Sequence, residues 1–366
     1  MNTELHKFGS LKDFIKAFDI KADDLILTSR GMYDRSLKAL NIPCRFIYHD
    51  DYGKGEPSST KIDGLIKEAQ AQDFNRLIAI GGGSVLDISK ILILQGVTSS
   101  AQAFEKQVPL VKGHELICLP TTCGTGSEVT NISIMEIPEK STKMGLADPV
   151  LIPDHAVLIP ALLEDLPYKN YLFSSVDALI HALESYVSPK ANSFTRTLAL
   201  ESASMILEVY QHIHEEGAEV RHDHHKDMLL ASTMAGLAFG NAGVGAVHAL
   251  SYPLGGTYHV PHGEANYQFF MTVFNKYQAK HPDGDLKGLG QALAQMLDVD
   301  ESNVWNELEE LLDALIQKNP LKNYGMTADE IETWADGVIT GQQRLLQNNY
   351  TELSRDEIRD IYKTLY

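Results

Sequence analysis

The feature that most constrains this chain is a change of hydrophobic period near residue 165. Before it, LILTS (25–29), RFIYH (45–49), RLIAI (76–80), ELICL (115–119) and AVLIP (156–160) are short apolar runs. Amphipathic stretches such as STKIDGLIKEAQAQ and SVLDISKILILQ lie between some of them. Strand-length runs alternating with helix-period segments predict a parallel sheet covered on both faces. VTNISIMEI followed by TKMGLAD reads instead as a hairpin attached to that sheet. After the change, SSVDALIHALESYVS, RTLALESASMILEVYQHIHEE, KDMLLASTMAGLAFG, VWNELEELLDALIQ and ADEIETWADGVITGQQRLL all space their apolar residues helically. The expected architecture is an α/β domain over 1–163 followed by an all-helical domain over 164–366.

Composition supports ordered, globular domains: of 366 residues, 44% are hydrophobic and 22% charged, with no low-complexity tract. The formal net charge of -18 disfavours nucleic acid and anionic membranes as partners. No apolar run approaches the roughly 20 residues of a membrane span. The start, MNTELHKFGSLKDF, carries no apolar signal core. Cys44, Cys118 and Cys123 sit in or beside apolar runs and are odd in number, which predicts buried free thiols in a reducing cytoplasm.

Two glycine-rich segments follow predicted strands. IAIGGGSVLDISK sets three glycines and Ser84 between a strand and an amphipathic helix, where close backbone approach and helix N–H groups favour an anion. Ser84 is expected to cap that helix, with Asp87 completing a capping box. LPTTCGTGSEVT (119–130) packs Thr121, Thr122, Thr125 and Ser127 around Gly124 and Gly126. Either loop alone could be a plain polar turn, and the strict G-x-G-x-x-G fingerprint is absent. Two such loops at strand ends in one α/β domain favour a nucleotide.

The helical half carries candidate metal ligands. Asp177 and His181, four apart, share a helical face beside Leu179, Ala182, Leu183 and Tyr186. Such a pair can be exposed, mutually hydrogen-bonded, or coordinating. In VHALSYPLGGTYHVPHGEANY, His248 and His262 bracket a Pro- and Gly-rich turn, with His259 between them. Histidines in an apolar segment are costly to bury unless paired or coordinated. One carboxylate and several imidazoles suit iron(II) or zinc. RHDHHKD (221–227), flanked by charges, reads as a solvated loop.

GGGSVLDISK, PTTCGTGSE, the pair Asp148–Pro149, VDALIHALES and HALSYPLGGTYHVPHG together make the chain resemble the iron-containing (group III) alcohol dehydrogenases along nearly its whole length. HVPHGEANY is most similar to the branch of that family that handles 4-hydroxybutyrate. The resemblance implies an α/β domain plus an all-α domain, as in the dehydroquinate synthase-like architecture. It implies metal ligation by Asp177, His181, His248 and His262, and a pyrophosphate loop of Gly82, Gly83, Ser84 and Asp87. Thr121, Thr122 and Lys143 match positions lining the cofactor. A small alcohol or aldehyde, carboxylate-bearing in that branch, is the implied substrate, and a homodimer or larger homo-oligomer the implied assembly.

Three departures bear on this expectation. Ser29, followed by Arg30, stands where many relatives carry an aspartate that favours NAD, and a serine–arginine pair could accept the 2′-phosphate of NADP. Glu56 stands where an asparagine is frequent and favours NAD. Tyr252 replaces a histidine, which leaves Tyr252 or His259 to handle the proton. A dehydroquinate synthase-like lyase would need basic residues that the metal-site helix lacks. A metal phosphohydrolase would not need the two glycine–hydroxyl loops, and a non-catalytic nucleotide binder would not need four ligands.

Overall fold

A computed structural model describes residues 3–53, 55–137 and 142–366. The chain divides into two compact units, Met1–Leu166 and Pro167–Tyr366.

The first unit is built on a parallel sheet. Its strands are β1 (Glu4–Lys7), β2 (Asp24–Thr28), β3 (Arg45–Tyr48), β4 (Arg76–Gly81), β5 (Glu115–Pro120) and β8 (His155–Leu158). Among the described residues they pair in the order β1-β8-β5-β4-β2-β3. Both faces of the central strands are buried because their alternate residues enter different cores. Leu25, Leu27, Leu77, Ala79, Leu116 and Cys118 join one cluster, while Ile26, Ile78, Ile80, Ile117, Leu119 and Val157 join the other. That is why these strands read as continuous apolar runs. The helices α1 (Ser59–Gln70) and α2 (Gly83–Leu92) contribute Ile62, Leu65, Leu86 and Ile91 to the first cluster.

β2 leads outward to β3, whereas β4 leads the opposite way to β5. The chain therefore reverses direction between β2 and β4, the place where open α/β sheets bind ligands beyond the carboxyl ends of their strands. The expected hairpin exists as β6 (Ile132–Ile137) and β7 (Thr142–Ala147), but it forms a two-stranded sheet of its own. An isolated bridge, Ser58 to Glu136, links it to the chain leading into α1. β1 escaped the sequence reading because Glu4, His6 and Lys7 are polar and only one of its edges is paired.

The second unit is helical throughout its described length. Its principal helices are α3 (Tyr168–Val187), α4 (Ser193–Glu216), α5 (His225–Ala242), α6 (Ala246–Tyr258) and α7 (His262–Lys280). They are followed by α8 (Gly284–Leu297), α9 (Val304–Leu315), α10 (Glu330–Gly341) and α11 (Arg355–Leu365). Two expectations change here. RHDHHKD is not a solvated loop: a 3-10 helix over Ala218–His224 runs into α5, burying Arg221 beside Tyr168 and His225 in the core. The segment between His248 and His262 is not a loop either. α6 continues through Pro253, Gly255 and Gly256 to Tyr258, leaving only residues 259–261 to turn the chain. No single helix among the described residues is long and apolar enough to cross a membrane.

Candidate metal centre and cofactor loops

α3, α6 and α7 converge on four side chains. Asp177 and His181 come from one turn of α3, His248 from the first turn of α6, and His262 from the first residue of α7. One ligand atom from each lies within 4.8 Å of all the others. His248 Nε2 and His262 Nε2 are each 3.7 Å from Asp177 Oδ1, and His181 Nδ1 is 3.9 Å from Asp177 Oδ2. Asp177, His181 and His248 are buried, while the His262 side chain keeps 25% of its surface, so the cluster opens at His262.

His248 shows most clearly what the cluster lacks. Its Nδ1 lies 2.6 Å from Glu184 Oε2, but its buried Nε2 has no hydrogen-bond partner. A buried polar nitrogen left unsatisfied is costly, and here it faces a carboxylate and two further imidazoles. A nitrogen-rich set of four donors, one of them orphaned, fits a divalent cation such as zinc or iron(II). The electrostatics agree. Burial alone would raise the Asp177 carboxyl, but His181, His262 and His248 hold it well below the usual carboxylate range. Burial alone would lower His248, yet the carboxylates of Asp177 and Glu184 push it up to about 9. The pocket is thus built to hold positive charge.

A second layer fixes these ligands. Glu184 divides its two oxygens: Oε2 orients the His248 ring, while Oε1 accepts the Val247 N–H at 2.8 Å and caps the start of α6. Asn266 Nδ2 donates to Asp177 Oδ1 at 2.8 Å, and its Oδ1 accepts from Ser251 Oγ. Phe239 stacks on His181 at 4.1 Å, and His181 stacks on His248 at 4.6 Å. Gly263 sets how close α7 can come to α3, since a Cβ there would lie 1.9 Å from the Phe173 carbonyl oxygen and 3.3 Å from Asp177 Cβ. Glu184, Asn266 and Gly263 were missed in the sequence. The signal was there: Glu184 is seven residues after Asp177 on one helical face, and Asn266 is four after His262.

The proton-handling candidates differ in setting. Tyr252 is buried one turn beyond His248, with its ring 6.3 Å from that of His262. His259 is exposed and ends α6 in the left-handed conformation, φ +53°.

In the first unit the two glycine loops end adjacent strands β4 and β5, and the Thr121 N–H donates to the Gly81 carbonyl at 3.0 Å. A Cβ on Gly83 would lie 2.5 Å from Thr125 Cγ2, and one on Gly82 3.3 Å from Thr122 Cγ2. The glycines therefore seat one loop on the other. The capping expectation is corrected: Gly82 is the N-cap residue of α2, no side chain caps it, and Ser84 lies inside the helix. Asp87 accepts from Ser127 Oγ at 2.5 Å and the Ile134 N–H at 2.9 Å, with Lys90 buried beside it. Lys90 donates to Ser127, Thr130 and the Ile132 carbonyl, so this pair straps the second loop and β6 to α2. Lys143, on β7, is buried and paired with Glu56 at 3.0 Å.

At the end of β2, Ser29 caps a short helical turn by accepting the Met32 N–H. Arg30 is held on three sides. Its N–H donates to Asp50 at 3.0 Å, its guanidinium makes two 2.5 Å bonds to Asp51, and it lies 4.4 Å over the Tyr48 ring.

Residues 3–160 match the iron-containing alcohol dehydrogenase family model, and residues 171–366 match the C-terminal model of the Fe-containing alcohol dehydrogenase family. The chain belongs to the iron-containing alcohol dehydrogenase family. It is 49% identical to a 4-hydroxybutyrate dehydrogenase of Clostridium kluyveri over 99% of this chain and 98% of that one. It is 31% identical to long-chain-alcohol dehydrogenase 1 of Geobacillus thermodenitrificans, over 85% of this chain and 80% of that protein. In fold it resembles a sulfoacetaldehyde reductase from Bifidobacterium kashiwanohense solved in complex with NAD+, with a TM-score of 0.84, 22% identity, and coverage of 100% of this chain and 97% of the other. Like its relatives, this family member is an oxidoreductase acting on the CH–OH group of donors.

Proposed function

We propose that the chain interconverts 4-hydroxybutyrate and succinate semialdehyde, using a divalent metal at Asp177, His181, His248 and His262 and NAD at the glycine loops. The observation that carries the substrate is the near full-length identity of 49% to a 4-hydroxybutyrate dehydrogenase. The orphaned His248 Nε2 within the four-donor cluster supports the metal, iron(II) or zinc. When bound, the ion supplies Lewis acidity toward the substrate oxygen, and the nicotinamide gives or takes the hydride.

This chain's own residues do the rest. Glu184 and Asn266 hold His248 and Asp177 in coordinating orientations. Gly82, Gly83, Ser84, Thr121 and Thr122 form a cradle at the ends of β4 and β5, where backbone N–H groups of the first turn of α2 favour a pyrophosphate. Asp87 positions that cradle through Ser127, and Lys143, paired with Glu56, is a further cofactor-lining residue in this reading. Tyr252, buried with its ring 6.3 Å from that of His262, or the exposed His259 handles the alcohol proton. The tether of Arg30 to Asp51 leaves its guanidinium engaged, which supports NAD over NADP. Cytoplasmic residence and a homo-oligomer of two or more copies belong to the same reading; three free cysteines support the reducing compartment.

The test is a panel of 4-hydroxybutyrate, other short ω-hydroxy acids, diols and simple alcohols with NAD and NADP, in iron-loaded and zinc-loaded enzyme, following reduced nicotinamide. The highest kcat/KM is expected for 4-hydroxybutyrate with NAD. A higher value for a simple alcohol or diol would overturn the substrate. No turnover of any alcohol would overturn the activity.

A further inference from the structure

We infer that the amino-terminal edge of the parallel sheet carries a second divalent-cation site, formed by Glu4, His6 and His155 and suited to zinc. It is independent of the activity proposed above and lies at the opposite end of the strands from the glycine loops.

The register puts the residues together. Glu4 on β1 pairs with His155 on β8, and His155 also aligns with Ile117 on β5. Because side chains alternate, His6, two beyond Glu4, and Glu115, two before Ile117, share the face of Glu4 and His155. This is the face where Phe14 and Phe18 pack.

The distances suit a small ion. His6 Nε2 is 3.0 Å from His155 Nδ1, and Glu4 Oε2 is 3.6 Å from each of those nitrogens. Tetrahedral zinc with bonds of about 2.0–2.1 Å separates its ligand atoms by roughly 3.3–3.4 Å, within the spread seen here. The orientation of His155 is fixed by a further carboxylate, since its Nε2 lies 3.2 Å from Glu115 Oε1. With that nitrogen donating to Glu115, His155 Nδ1 presents its lone pair toward His6, the arrangement that holds coordinating histidines in metalloproteins. Phe18 meets both rings edge-on, at 5.0 Å from His6 and 5.3 Å from His155, so neither is free to swing away.

Without an ion, His6 Nε2–H donates to His155 Nδ1. With one, the His6 proton moves to Nδ1 and both facing nitrogens coordinate, so loading needs a tautomer shift and no net proton loss. Glu4, the most exposed of the three, closes the third position, and water fills the fourth. The consequence is structural. β1 is an edge strand of four residues paired only with β8, and a bound ion would pin it there.

The experiment titrates zinc chloride into iron-loaded enzyme by calorimetry while an iron-selective chelator reports displaced iron. One equivalent is expected to bind at micromolar concentration with iron retained. His6→Ala and His155→Ala should each weaken binding at least tenfold, and Glu115→Gln about tenfold. Amide exchange at Glu4 and Phe8, whose N–H groups bond Asp154 and Leu158, should slow on zinc addition in the wild type alone. No binding at millimolar zinc, or release of iron matching zinc uptake, would overturn the site. So would unchanged affinity in the His6→Ala variant, which alters a partly exposed side chain and decides the matter if His155→Ala does not fold.

Discussion

The two candidate binding regions of this protein are built from opposite materials. The candidate metal cluster is made of side chains: four candidate ligands on three helices, with Asp177, His181 and His248 each held by a partner in the layer behind it. The cofactor loops are made of backbone, and their glycines matter because a neighbouring loop occupies the space a side chain would need. A side-chain site should fail sharply when one atom is removed. A backbone site should respond mainly to changes in shape.

The largest expected effect follows from removing a ligand. Asp177→Asn or His262→Ala should abolish tight metal retention and lower kcat/KM by at least about a thousandfold, ~4 kcal/mol. Metal analysis and far-UV circular dichroism should show the fold intact. A loss confined to tenfold would mean the cluster is not the metal centre. Next is Gly263→Ala, whose Cβ meets the Phe173 carbonyl and must push α7 from α3; a destabilisation of about 1–3 kcal/mol in urea melts, with metal loss, is expected. The equivalent change in the loops, Gly83→Ala, clashes with the side chain of Thr125, so NAD binding should weaken while metal content stays unchanged. Metal loss in that variant would break the contrast between the regions.

Glu184→Gln should reduce metal affinity about 10–100-fold while the α6 cap largely survives, because an amide oxygen can still accept from Val247. A competition assay with a chelator of known affinity measures this. Asp51→Asn should release Arg30 and tighten NADP binding by no more than about fivefold, as expected for breaking an exposed ion pair. Parallel fluorescence titrations with NAD and NADP decide it, and unchanged NADP affinity would dismiss Arg30 as a specificity element.

The smallest effect is acid sensitivity at the C-terminus. Burial raises the Glu357 carboxyl, but Lys280 and the Ser354 cap outweigh it and hold it at about 2, below its ordinary 4.5. A depressed folded-state value contributes stability above pH 4.5 that is lost as pH falls toward 2. The wild type should therefore lose up to about 1 kcal/mol more than Glu357→Gln across that window, measured by urea midpoints.

Much of this could be read in the sequence, for definable reasons. Strands buried on both faces, such as β4 and β5, appear as apolar runs. The candidate ligands stood out because Asp177 and His181 share a helical face, His248 and His262 sit in an apolar segment where unpaired histidine is costly, and the shared motifs joined the four into one set. What escaped was whatever depends on a partner distant in sequence. β1 hides because its residues are polar and its pairing comes from β8, about 150 positions away. Asp87 looked like a cap because a local pattern suggested it, but its carboxylate is taken by Ser127 and Ile134 across the loop. RHDHHKD looked solvated because charge density hides the burial of Arg221 and His225. Gly255 and Gly256 suggested a loop, yet packing keeps α6 helical through both.

Glu184 joins two properties that natural variation might otherwise tune separately. One oxygen starts the helix that carries His248, and the other aims the ring of that histidine. A substitution that removes both oxygens, such as Glu184→Ala, therefore loosens the hold on His248 and also frays the helix presenting it, and a protein caught before α6 has formed has no aimed imidazole to offer. Metal uptake should accordingly be a late event in maturation, and ion loss on heating should coincide with melting of α6. Hydrogen exchange at the Val247 amide, followed through a temperature ramp beside ion release, would register both as one event.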